Sequence, residues 1–355
     1  MIRNGISGGQ LKIRYYPSVI SEEIMSSKVC LITGLTGMVG SHLADFLIQN
    51  TDWQVHGLLR WNDKTDNIEH LMDRINNKQR VFLQYGDIND MASLLTTFEK
   101  VKPDYVFHLA AQSYPKTSFK SPIETLETNI LGTAKVLHAI KQIGLDPVIH
   151  VCASSEVFGR VPKEFLPIHE EVTFHPASPY AISKVGTDLV GRFYAEAYDM
   201  NVITTRMFTH TGPRRGDVFA ESTFAKQIAM IEAGLQGPTI KVGNLDSLRT
   251  WADVRDAVRA YYLLVTKNPI PGEYYNIGGS YTCSIREMLN YLLSLSTNKN
   301  IKIETEEERL RPIDADLQVP DTTKFTDHTG WKPEIEFKKT MLDLLNYWRG
   351  QIKQG

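Results

Sequence analysis

The chain has 355 residues, with 39 Lys and Arg against 41 Asp and Glu and a formal net charge of −2. That length buries a full core in about two domains or one large one, and the near balance of charge offers no basic field to a nucleic acid. No apolar run reaches the roughly 20 residues that a membrane-spanning helix needs, so neither nucleic acid nor membrane is an expected partner. The cysteines Cys30, Cys152 and Cys283 lie far apart with no C-x-x-C spacing. That is the usage of buried free thiols in a reducing, cytoplasmic setting.

Residues 1–24 stand apart: Gly5, Gly8 and Gly9 precede a mixed polar stretch without the apolar core of a signal peptide. We read them as a flexible N-terminal extension, with the folded chain starting at Met25. From Lys28 onward apolar runs alternate with amphipathic stretches. Strands are expected over 29–33, 54–59, 80–84, 105–109, 148–152 and 202–206. Helices are expected up to about 49 and over 91–100, 123–143 and 179–198. Such alternation makes an α/β fold, a doubly wound parallel sheet covered on both faces. Residues 25–211 are expected to form that unit. Residues 212–355 are expected to form mainly a smaller C-terminal lobe over the strand ends, with some segments returning to the main sheet. Tyr261, Tyr262, Tyr274 and Tyr275 read as core and strand residues.

The run Gly34-Leu35-Thr36-Gly37-Met38-Val39-Gly40 falls between the first strand and the first helix. Gly34 permits a tight turn, Gly37 lets backbone approach a pyrophosphate, and Gly40 lets helix and strand pack closely. The helix N-terminus beyond it offers free N–H groups and a positive dipole end. The pattern in this context predicts dinucleotide binding. At the end of the second strand stands His56-Gly57-Leu58-Leu59-Arg60-Trp61, with no carboxylate. Arg60 favours NADP over the alternative NAD, because arginine accommodates a 2′-phosphate. It reads almost equally well as a solvated arginine. Asp87, after the third strand, either meets the adenine or caps the helix that starts at Met91.

Ser154-Ser155-Glu156 follows the fifth strand, and Tyr180 precedes Lys184 by four residues on a helix, so the two share a face. A phenol has a pKa of about 10, too high for a base near neutrality. An ammonium held beside it is expected to bring that value down. Ser154 or Ser155 would hydrogen-bond the same substrate oxygen, and Glu156 could move a second proton. The ten histidines show no ligand-like spacing, and no metal is expected.

Together with Asp87 and His108-Leu109-Ala110-Ala111, these motifs resemble those of the extended short-chain dehydrogenases/reductases, which have a Rossmann sheet. Within them the chain resembles the nucleotide-sugar branch, GDP-mannose 4,6-dehydratases and their GDP-sugar relatives. Val55-His-Gly-Leu-Leu-Arg60, Ile68-Glu-His-Leu71, Pro213-Arg-Arg-Gly216, Gly243-Asn-Leu-Asp246 and Arg311-Pro312 carry that likeness. Ser154 stands where the dehydratases have threonine, and Leu166-Pro-Ile-His-Glu-Glu171 is similar to the related reductases.

The resemblance implies a lyase that oxidises C4 of a GDP-mannose or GDP-manno-heptose type sugar, loses water across C5 and C6 and reduces C6. A C4 reductase, C4 dehydrogenase or epimerase of the same fold is the alternative, and a regulatory protein that kept the fold without turnover is a third. It implies further cofactor contacts from Thr36, Met38, Val39, Ile88, Leu109, Ala110, Ala111 and Phe208. Gln112, Ser113, Thr209, Arg215, Lys226, Arg249, Arg311 and Asp314 would hold the sugar nucleotide, arginine suiting phosphate through its planar fork. It also implies a homodimer or homotetramer.

Overall fold

A computed structural model describes residues 27–310 and 317–354; the expectations for residues 1–24, Arg311 and Asp314 lie outside the described residues. The first six strands are β1 (Val29–Thr33), β2 (Gln54–Leu59), β3 (Val81–Tyr85), β4 (Tyr105–His108), β5 (Val148–Cys152) and β6 (Val202–Met207). Then come β7 (His210–Thr211), β8 (Thr239–Val242), β9 (Leu248–Asp253), β10 (Tyr274–Ile277), β11 (Tyr281–Ser284), β12 (Lys302–Thr305) and β13 (Leu317–Gln318). Seven of these form one sheet in the order β10-β6-β5-β4-β1-β2-β3, parallel throughout.

Parallel strands need both faces covered, which is why β6 is buried at every residue. Leu43, Leu47, Val258 and Tyr261, from helices Met38–Asn50 and Val254–Thr266, belong to one apolar cluster against the sheet. Leu94, Phe98, Val136 and Ile140, from helices Met91–Val101 and Gly132–Ile143, belong to another together with Ala195 of Pro179–Tyr198. The α/β, doubly wound reading therefore holds, and Tyr275 and Tyr261 are buried core residues as expected.

The long helix expected over 123–143 is broken. Pro122–Leu126 and Gly132–Ile143 are α-helical, but Glu127–Leu131 forms a π turn between them. The apolar periodicity runs on through the extra residue and hides it. A π turn of this kind often marks a functional position, and here it holds the buried Asn129.

Beyond the sheet, helices Ala220–Glu232, Ile285–Ser294 and Phe337–Gln354 enclose a separate cluster that includes Phe224, Ile228, Leu289, Met341 and Leu345. The chain then returns. β10, which holds Tyr274 and Tyr275, pairs with β6 at the edge of the main sheet.

Helix Pro179–Tyr198 is fixed at both ends of its job. Ser178 caps it, its hydroxyl accepting from Ala181 N at 3.0 Å, and Pro179 supplies a helix-ready φ at the first position. Farther along, Asp188 receives Arg206 of β6 through two hydrogen bonds of 2.7 and 3.1 Å, both side chains at most 1% exposed. The rings of Phe158, Phe174 and Tyr274 surround that guanidinium. Breaking such a buried pair costs about 3–5 kcal/mol, so the helix has one seat on the sheet.

Candidate active site

The loops that follow β1 to β6 meet in a cavity of about 790 Å³. At one end lies the glycine turn. Gly34 has φ +77°, and a Cβ there would meet the backbone of Ala110 at 3.0 Å. At Gly40 a Cβ would lie 2.3 Å from the carbonyl oxygen of Gly34. The cradle therefore admits no side chain. No side chain caps helix Met38–Asn50 at Gly37, so its first-turn N–H groups are left to a ligand. This shape fits a dinucleotide pyrophosphate. Thr33 braces it, its hydroxyl accepting from the N–H groups of Leu109 and Ala110, each at 3.1 Å.

Gly34, Thr36, Gly37, Met38, Val39, Gly40, Asp87, Ile88, Leu109, Ala110, Ala111 and Phe208 all line the cavity. Arg60 lines it too, but paired: its guanidinium lies 2.9 Å from Asp63, which also accepts from the Arg60 backbone N–H at 3.0 Å. Asp63 carried no signal in the sequence beyond its distance of three residues. The capping alternative for Asp87 is overturned. Asp90 caps helix Met91–Val101, accepting from Ala92 N and Ser93 N, and leaves Asp87 at the cavity wall.

Ser154, Ser155 and Glu156 leave β5 in a short 3₁₀ turn, and Tyr180 and Lys184 face them from the helix; all five line the same cavity. The Ser154 hydroxyl accepts from Glu156 N at 3.2 Å and lies close enough to the Tyr180 phenol to favour its ionised form. Lys184 Nζ donates to the carbonyl oxygen of Cys152 at 2.7 Å.

One expectation is corrected. The Tyr180 phenol is held well above its ordinary pKa, chiefly by burial; Cys152 and Glu156 add to the rise, and Ser154 and Arg215 oppose it. Burial outweighs every favourable contact that the protein makes with the phenolate. The same burial lowers the proton affinity of Lys184.

The far end of the cavity is lined by Gln112, Ser113, Thr209, Arg215 and Arg249. Arg215 stacks on the Phe219 ring at 3.4 Å and donates to Glu221 at 3.1 Å. Burial, with Arg215 nearby, pushes the neighbouring His210 down to about 4. Lys226 departs from expectation: it pairs with Asp217 at 2.6 Å and lines a separate surface groove, because its helix turns it away from the cavity.

Several cavity or supporting residues escaped the sequence reading, among them Asp63, Tyr114, Arg214, Phe219, Glu221 and Arg309. Asn129 is another. Its side chain bridges Gln112, through both N–H and carbonyl, to the Ser183 hydroxyl at 2.8 Å, tying the β4 loop to the helix of Tyr180. A polar residue on the inward face of an apolar helix was its one available signal.

A glycine cradle at the first strand, with a tyrosine and lysine on one helix facing serines after the fifth, defines an extended short-chain dehydrogenase/reductase of the nucleotide-sugar branch. The GDP-mannose 4,6 dehydratase family model matches residues 31–344. The chain belongs to the GDP-mannose 4,6-dehydratase family, as the sequence motifs implied. It is 32% identical to GDP-mannose 4,6 dehydratase 1 of Arabidopsis thaliana over 328 residues, covering 90% of this chain and 89% of that one. It is also 31% identical to the GDP-6-deoxy-D-mannose reductase of Pseudomonas aeruginosa over 324 residues, covering 91% and 98%. Among solved structures, RMD from Pseudomonas aeruginosa complexed with NADPH superposes with a TM-score of 0.78 at 30% identity, covering 92% and 100%. The dTDP-glucose 4,6-dehydratase DesIV of Streptomyces venezuelae, at 24% identity and a TM-score of 0.79, covering 92% and 98%, shares the fold.

Proposed function

We propose that the protein is an NADP-dependent GDP-sugar 4,6-dehydratase. The observation that carries this reading is Glu156, a second proton acceptor in the same cavity as Tyr180. Oxidation at C4 needs one base, and elimination across C5 and C6 needs a second, because the two act at different carbons. Gly34, Gly37 and Gly40 would hold the dinucleotide, which would supply the oxidant for C4 and the reductant for C6. Tyr180, as the phenolate, takes the proton of the C4 hydroxyl, and Ser154 holds that oxygen by a hydrogen bond; the positive charge of a bound oxidised nicotinamide would offset the burial that disfavours that phenolate. Once C4 is a ketone the C5 hydrogen is acidic. Glu156 removes it as the C6 hydroxyl leaves as water, with Ser155 beside it. Lys184 and Asn129 keep the helix and loops in register through Cys152 and Gln112.

Arg60 supports NADP, and the Pseudomonas relative was solved with NADPH. Arg215 and Arg249, at the other end, suit a diphosphate. Ile182, Leu189 and Phe193 repeat at helical spacing on the helix of Tyr180 and are 49–53% exposed. That face suits a second copy of the chain, in a homodimer or homotetramer, and we place the protein in the cytoplasm. The described helices include none long and apolar enough to cross a membrane.

Incubation with GDP-mannose and no added reductant tests the reading: a product lighter by one water is expected. The reductase relative makes C4 reduction the second reading. If no GDP-sugar is dehydrated but a 4-keto-6-deoxy GDP-sugar is reduced, that reading takes over.

A further inference from the structure

Gly212, Pro213, Arg214 and Arg215 form a tight turn closed by Arg215 N donating to Gly212 O at 3.3 Å. Its third residue, Arg214, has φ +69°. Glycine is the residue such a position favours, because a Cβ there is strained. An arginine persists in a strained backbone where its surroundings hold it. Its side chain therefore makes contacts that the turn itself does not need.

Those contacts lead to the cofactor helix. Arg214 Nη1 lies 2.8 Å from Asp45 Oδ2, an ion contact without hydrogen-bond alignment, with the side chains 11% and 8% exposed. Asp45 also holds His70 at 2.6 Å. One turn earlier on the same helix, His42 bonds the carbonyl oxygen of Pro213 at 3.1 Å. Arg215, the next residue, turns the other way, onto Phe219 and Glu221 at the substrate end, where its charge reaches Tyr180.

We propose that the Asp45–Arg214 pair is a positioning latch: it fixes the turn to the cofactor helix so that Arg215 is presented to the phosphates of the sugar nucleotide. The inference rests on the reading that Arg215 binds those phosphates. Neither Asp45 nor Arg214 is required to touch the reacting sugar.

Asp45→Asn removes the charge of the pair, and Arg214→Gly removes the side chain while relieving the backbone. GDP is the probe, and its Kd is measured by calorimetry beside the Kd for NADP. Each variant is expected to weaken GDP binding by about tenfold, the low end for one misplaced charge-assisted contact. NADP binding is expected to stay within about threefold, and the double variant to lose no more than the worse single one. The Tm of Arg214→Gly is expected to stay close to wild type, which separates positioning from stability. GDP affinity unchanged in both variants, while Arg215→Ala loses it, overturns the latch. GDP affinity unchanged in Arg215→Ala overturns the underlying reading, and the latch with it.

Discussion

Lys184 lies one helical turn beyond Tyr180 and holds the carbonyl oxygen of Cys152 at 2.7 Å. The lysine thus joins the catalytic helix to the end of β5, and burial weakens its hold on its proton. Lys184→Met should lower turnover by about 10²-fold or more, and Tyr180→Phe by about 10²–10⁴-fold. The Tm of Lys184→Met should stay within a few degrees of wild type, since relief from burying a charge offsets the orphaned carbonyl. Steady-state rates beside thermal melts check both; near wild-type turnover in Tyr180→Phe removes it as the base.

Glu156→Gln keeps the side-chain shape and removes its basicity. The variant should release little dehydrated product and should stop exchanging the C5 hydrogen with deuterated solvent. Product mass and deuterium content decide it. A variant that raises KM alone, with exchange intact, would reduce Glu156 to a hydrogen-bonding role.

At the cofactor end, wild type should bind NADP more tightly than NAD. Arg60→Ala should narrow that gap by about tenfold, the low end for a charge-assisted contact at an exposed site. Asp63→Asn should widen it, because the Arg60 guanidinium is released from its carboxylate partner. Calorimetric titration with both dinucleotides measures the ratio, and a wild-type preference for NAD refutes the assignment.

Gly40→Ala should abolish measurable dinucleotide binding at micromolar concentration, because its Cβ would sit 2.3 Å from backbone that cannot move aside. Retained affinity in a fluorescence titration would mean that the turn is softer than its packing requires.

Three buried histidines, His42, His108 and His150, and the half-buried His210 set the acid limit of stability. Burial pushes His42 and His210 down to about 4 and His108 and His150 to about 3, with nearby positive groups adding to the effect. The unfolded chain titrates them near 6.5, so their contribution is fully present above that pH and is lost as pH falls toward the folded values. Each costs about 1.4 kcal/mol per pH unit across that window. The Tm should therefore fall steeply from pH 6.5 to pH 4.5, and a flat Tm there would contradict the burial.

The ends of β1 and β2 were legible to the residue because apolar runs stop abruptly at Gly34 and Arg60, and the end of β5 because polar Ser154 and Ser155 follow it closely. The shared face of Tyr180 and Lys184 followed from helical spacing alone. Side-chain direction was not legible. Arg214 and Arg215 are identical neighbours that point to opposite ends of the site, and nothing in the sequence says which is which. Asp63 looked like any loop carboxylate until Arg60 was seen on it. The π turn at Asn129 left the apolar pattern intact. The fall expected for the Tyr180 pKa failed because spacing reports which residues share a face, but not how much water they lose.

The return of β10 to the edge of the main sheet governs how this molecule can be recombined. Thr204 of β6 receives its backbone partner from Glu273, and Phe325 and Trp331 pack behind Tyr275. A chimera cut once near residue 212 would give β6 an edge strand from a foreign parent, or an open edge inviting intermolecular pairing. A workable exchange must move residues 274–277 and 323–331 with the N-terminal half. The seam between cofactor and sugar halves is therefore a surface in space, crossed several times by the chain.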